Sequence, residues 1–242
     1  VPVENEVVIK DLNSLQSEIK HLHAWWLNQI GVNADDPYDV FSVDTTGLSP
    51  YRDSLVAFCV IRNRESEVKS KLFCVCKEEI PNLEDFYKYI ESRFSKGILK
   101  AVTDLYSNNE IAYPEVLKKL DLLLFSTPML VSANFDGFIN KVISDMVYRD
   151  TIGYYNIPKF DICKFFKFLL AISMGAELPS QWQSIEDYDD YIYNNFGSFR
   201  GWSLYKIGTT LFRNNKEMTY ATCSGRANLM FEIYKKICKL AA

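Results

Sequence analysis

The stretch Asp39-Val-Phe-Ser-Val-Asp-Thr-Thr-Gly-Leu-Ser-Pro50 constrains this chain more than any other. It opens as a short apolar run of β-branched and aromatic residues, the composition that fills a pleated, buried surface. It stops abruptly at Thr45-Thr-Gly-Leu-Ser-Pro50, a cluster of turn formers. The expectation is a strand ending in a turn.

Upstream, Val8, Leu12, Leu15, Ile19, Leu22 and Trp26 recur in steps of four and three, which places them on one helical stripe. Two to three heptads is short for a coiled coil. The helix is therefore expected to pack on the main body, with a homodimer or a partner helix through residues 8–30 as the other reading. Trp25 and Trp26 cannot both face one seam, so one of them is expected to mark a contact surface. Residues 31–38 read as a linker. The organisation expected is an N-terminal helix and linker over 1–38 and one α/β domain over 39–242.

Downstream the pattern is α/β. Leu55–Arg62 and Lys71–Cys76 read as strands around a charged tip, with Cys74 and Cys76 on one face. Helices are expected over Leu83–Phe94 and Tyr113–Leu124, the latter with Pro114 in its first turn. Pro128–Ala133 is a short buried strand that leads into an amphipathic helix carrying Phe138, Ile139, Val142, Ile143 and Met146. Lys159–Cys163 reads as the last strand, running on into a helix to Met174. Glu177–Arg200 is a polar segment, acidic and rich in tyrosine, expected as a solvated or partner-binding loop. Helices over Trp202–Phe212 and from Tyr220 to Ile237 close the chain.

These segments resemble, in order, the motifs of the DnaQ-like (DEDD) 3′–5′ exonucleases. Thr45, Thr46, Gly47 and Leu48 match the first motif, D-x-E-T-T-G-L; Asp44 takes its glutamate position and Ser42 its first aspartate. Asn134-Phe135-Asp136 resembles the second motif. Tyr220 and Gly225 fall where the third motif has histidine and aspartate. The resemblance implies an RNase H-like fold: a mixed central sheet of about five strands flanked by helices, with an extra N-terminal helix. Exonucleases of this group hold two divalent ions, Mg or Mn, between four carboxylates. Only Asp44 and Asp136 remain of the four. The resemblance therefore implies a catalytically degenerate member, its decay comparable to that of Exuperantia- and Maelstrom-type domains. No metal or other cofactor is expected; the alternative is an active exonuclease with an atypical site, built on Asp44, Asp136 and the acidic residues 186–190.

The residues also have structural readings. Asp44 is placed to cap the amides beside Thr45 and Thr46, Gly47 to supply a turn conformation that a Cβ disfavours, and Asn134 to N-cap a helix. Asp136 suits the positive end of that helix. Arg226, with Lys235 and Lys236, reads as a charged, solvated face. Thr45, Thr46, Gly47, Leu48, Asn134, Phe135, Trp25, Trp26 and Arg226 form the set of candidate binding positions, and Ser42, Asp44, Asp136, Tyr220 and Gly225 are the degenerate site positions.

Totals narrow the partners. Net charge is −4 with a pI near 5.4, which argues against a uniformly basic nucleic-acid binder. A protein partner is favoured, with RNA or DNA as a further partner. No run of about eighteen apolar residues suggests a membrane span, and no signal peptide is visible. The six cysteines form no CxxC pair and lie far from His21 and His23; buried structural thiols in a reducing cytoplasm or nucleus are expected rather than a zinc site.

Overall fold

A strand buried on both faces belongs in the middle of a sheet, and β1 (Tyr38–Thr45) is buried at every position but its last. In this computed structural model, which describes residues 9, 11–47, 53–64, 67–140, 142–143, 157–196 and 201–242, β1 is indeed central. The other strands are β2 (Leu55–Arg64), β3 (Glu67–Val75), β4 (Glu110–Ile111), β5 (Leu130–Ser132) and β6 (Lys159–Asp161). Their order is β4-β3-β2-β1-β5-β6. β1 to β3 form an antiparallel meander, while β5 and β6 join β1 in parallel. The sheet has six strands rather than about five because the two-residue β4 pairs beside Cys74 and Val75.

The β2–β3 ladder runs from Ala57↔Cys74 out to Arg64↔Glu67. Most of what reads as a charged tip is therefore strand: backbone pairing continues where exposed side chains alternate freely. Cys76 lies beyond the strand, at the start of a short 3-10 turn, and does not share a strand face with Cys74.

The helices are α1 (Gln16–Ile30), α2 (Leu83–Arg93), α3 (Ile98–Ser107), α4 (Tyr113–Ser126), α5 (Ile162–Ser173), α6 (Ile185–Phe196), α7 (Leu204–Leu211), α8 (Glu217–Ala221) and α9 (Cys223–Ala241). Phe135–Ile139 forms a wide π-helical turn after β5, where a regular amphipathic helix is expected from the sequence. Part of that expected helix, Met146 included, lies outside the described residues, as does Val8 of the N-terminal stripe.

α1 packs against α9 and α5, with Ile19, Leu22, Trp26 and Leu27 buried. The stripe considered for a homodimer is thus covered by this chain's own helices. Trp26 lies among Phe160, Phe165 and Phe168 and donates its indole N–H to the Lys159 carbonyl (3.2 Å). Trp25 stands edge-on to Tyr188 and donates to the Trp182 carbonyl (3.2 Å). Trp26 is buried in the core, while Trp25 is half-buried, with its ring against Tyr188 of α6. α6 itself corrects the reading of 186–196 as a loop: Tyr188 and Ile192, four residues apart, are both fully buried.

His23 is 3% exposed on the same helix, beside Phe160 and Tyr234. Burial lowers its pKa from 6.5 to about 4. Between those values the unfolded chain binds a proton that the native state refuses, so stability is complete above 6.5 and falls as pH drops through about 4. The expected loss is about 2 kcal/mol by about pH 5 and about 3 kcal/mol once pH lies below the native value. Urea midpoints near neutral pH and at about pH 5 check this: His23→Gln should flatten the dependence, and an unchanged slope would contradict it.

Among the described residues no helix is long and apolar enough to cross a membrane. All six cysteines are free. Burial pushes the thiols of Cys59 and Cys238 up to about 11 and that of Cys163 to about 12, so they are poor nucleophiles.

Candidate functional site

Asp44 is the penultimate residue of β1 and is 7% exposed. A carboxylate so buried needs partners, and the fold brings three, all from distant sequence. Its Oδ2 accepts from the Cys223 backbone N–H (2.7 Å) at the start of α9 and from the Tyr106 hydroxyl on α3. Its Oδ1 accepts from the guanidinium of Arg226, one turn into α9. Arg226 also donates to the carbonyls of Val43 and Tyr220, each at 2.8 Å. Burial works against the arginine's charge, but Asp44 outweighs it and keeps the guanidinium protonated. Burial, reinforced by the Asp44 charge, raises the Tyr106 and Cys223 groups well above their ordinary ranges. Asp44 therefore does not cap Thr45 and Thr46, and Arg226 is not a solvated cation.

The turn after β1 has its own wiring. Thr45 donates to the Gly47 carbonyl (2.6 Å), and the Thr46 hydroxyl joins Asp53 (3.2 Å) and the Ser54 N–H (2.9 Å). No left-handed turn demands glycine at position 47, since its φ is not positive; a Cβ there would lie 2.6 Å from the Asp53 carboxylate, a flexible side-chain end that would have to shift. Leu48 falls outside the described residues. Ser42 is buried on β1 opposite Cys59, a neutral side chain in the first-aspartate position.

The second motif is organised by Asp161, which the sequence reading left as an ordinary strand residue. Its carboxylate accepts from the N–H groups of Asn134 (3.2 Å), Phe135 (2.8 Å) and Lys164 (3.0 Å), tying the β5 turn to the start of α5. Burial raises its pKa against those three bonds. Asn134 does not cap through its side chain; it holds a left-handed conformation, φ 59°, which asparagine tolerates. Phe135 is a core residue at 3% exposure, not a surface contact. Asp136 is exposed and pairs with Lys164 (2.6 Å), and its other oxygen accepts from Asn140 (3.3 Å). Lys164 reaches Asp189 at 3.8 Å, and Asp189 is held by Lys167, so this acidic residue of α6 is already committed.

In the third motif, Tyr220 sends its hydroxyl to the Asn214 carbonyl (2.6 Å) and meets the Tyr205 ring edge-on. Gly225 lies in the first turn of α9, where a Cβ would stand 2.5 Å from the Met218 carbonyl oxygen and 2.6 Å from the Thr219 Cα. The backbone of α8 occupies the space a side chain needs.

These residues do not fit two divalent ions. Such ions need several free carboxylate oxygens at close range. Here Asp44 is engaged by three internal donors and neutralised by Arg226, Asp136 is paired with a lysine, Ser42 carries no charge, and position 225 has no room for a carboxylate. Among the described residues no group of three His, Cys, Asp or Glu side chains is disposed to hold a metal. Beside the site an open cavity of about 370 Å³ has a mixed lining, apolar at Leu105, Met218 and Leu229, neutral polar at Asn214, Thr219 and Ser224, and acidic at Glu232.

No family model matches the sequence, and no curated protein matches it. Solved structures do. Exonuclease I of E. coli in complex with a dT13 oligonucleotide superposes with a TM-score of 0.56 at 11% identity, over 84% of this chain and 41% of that one. The zinc-bound E. coli ExoI–ssDNA complex gives 0.53 at 12% identity, over 86% and 42%. A further Exonuclease I structure gives 0.54 at 11%, over 85% and 43%. This chain thus spans about two fifths of the length of the structures it matches. The likeness shows an exonuclease-type α/β fold.

Proposed function

We propose that this chain is a catalytically silent exonuclease-like domain that serves as a binding module in a protein or protein–nucleic acid complex, RNA-related in kind. One observation carries the reading: Asp44, the retained carboxylate of the first motif, is neutralised by Arg226 and satisfied by Tyr106 and Cys223. A carboxylate that accepts three internal hydrogen bonds, one of them from a guanidinium, is poorly disposed to take a metal ion. The fold likeness supports a surface on which a single strand lies, since Exonuclease I has been seen with dT13. Among the described residues the cavity is lined by apolar and neutral polar side chains and Glu232, with no Lys or Arg for a phosphate, which favours contact with bases or with a protein partner. Six free cysteines suit a reducing compartment, the cytoplasm or nucleus.

The test is fluorescence anisotropy with 5′-labelled single-stranded RNA and DNA, in EDTA and in manganese. The reading expects saturable binding that chelation leaves unchanged, with the strands intact afterwards. Shortened strands in manganese would overturn the silent half of the reading. No binding of either strand would remove nucleic acid and leave a protein partner.

A further inference from the structure

Three protein oxygens from two separate segments converge on the Arg226 side chain: Asp44 Oδ1, the Val43 carbonyl and the Tyr220 carbonyl. They come from the end of β1 and from α8, while the arginine itself belongs to α9. A carboxylate with two carbonyls is an oxygen-rich socket, the donor set that hard cations and guanidinium groups both seek. Carbonyl dipoles aimed at one point are costly to desolvate unless positive charge sits between them. The arginine's side chain is 22% exposed and the aspartate's 8%, so water screens little of this charge.

We propose that Arg226 is a built-in cation: its guanidinium fills an oxygen-lined socket at the end of β1, balances Asp44 without a metal ion, and clasps α8 over Gly225. The inference rests on the non-catalytic reading above and adds how that state is held. Two consequences follow. The native chain requires no divalent ion for its stability, and the site stays closed because the same guanidinium that neutralises Asp44 also binds the α8 carbonyl. The socket is specific for a cation that can donate planar hydrogen bonds, so a free guanidinium compound should occupy it once the side chain is cut back.

The experiment is thermal unfolding of the full chain, comparing wild type, R226A, D44N/R226A and D44N/R226M, in EDTA, in manganese, and with methylguanidinium far below denaturing concentration. Wild type should melt at the same temperature in EDTA and manganese. R226A should melt roughly 10 °C lower. Methylguanidinium should restore at least about a third of that loss in R226A by binding the native state, and none in D44N/R226A. Should R226A fail to fold, D44N/R226M remains decisive: removing both charges while keeping volume leaves only the two carbonyls without their donor, so it should fold and melt between R226A and wild type. An R226A protein as stable as wild type would overturn the proposal. So would recovery that is equal with and without Asp44, or a D44N/R226M protein that also fails to fold. Strand cleavage by wild type would sink the functional reading instead, and none of these melting results depends on activity.

Discussion

Gly225→Asp, the substitution that puts an acidic residue where the exonuclease motif has one, is expected to cost about 3–5 kcal/mol of stability and to create no nuclease. The first atom added to Gly225 would sit 2.5 Å from a backbone carbonyl oxygen and 2.6 Å from a backbone Cα. Neither is the end of a flexible side chain. α8 would have to leave its place, and α8 is anchored. Glu217 is clasped by the Ser95 N–H (3.0 Å) and hydroxyl, Tyr220 by Asn214, and the Tyr220 carbonyl by Arg226. The Thr222 hydroxyl donates to the Met218 carbonyl (2.9 Å) while accepting from the Gly225 N–H. Urea denaturation measures the loss. A Gly225→Asp protein as stable as wild type would show that α8 moves aside freely and that position 225 faces open space.

Asp44→Ala is the second large effect, about 3–5 kcal/mol, again in stability. In an enzyme that uses this carboxylate for metal, its removal abolishes turnover and relieves a concentration of negative charge. Here the removal strands the Arg226 guanidinium and takes the acceptor from the Tyr106 hydroxyl and the Cys223 N–H. Breaking one partner of a buried pair costs more than the pair itself contributes. Asp44→Asn should fall between, since it keeps the volume and one acceptor oxygen. Equal urea midpoints for wild type and Asp44→Ala would mean the bonds to Asp44 carry no weight in folding.

Both effects turn on contacts that local sequence pattern does not encode. The β1 strand, its abrupt turn, the α1 stripe and the motif order were legible because each is a short-range periodicity or a residue type at fixed spacing. So was the absence of an aspartate at Gly225. What fills that absence was not legible, because α8 approaches through backbone atoms, and backbone leaves no signature in residue identity. Arg226 reads as one more charge on a helix until the fold brings a carboxylate from 182 positions earlier against it. Tyr106 was missed with its helix, although Ile98, Val102 and Tyr106 recur every four residues there. Asp161 looked like a strand residue, and its capping role appears only when the turn at Asn134 folds over it. On α6 the density of acidic groups hid the buried pair Tyr188 and Ile192, because one apolar stripe is enough to seat a helix whose other faces are charged.

The measurement to make is calorimetric titration of the wild-type protein with manganese, followed in the same solution by incubation with 5′-labelled single-stranded RNA and DNA. With Asp44 held by Arg226, no manganese-binding heat and full-length strands are expected. Saturable manganese binding together with strands shortened from the 3′ end would contradict it, and would mean that the guanidinium yields its place to metal.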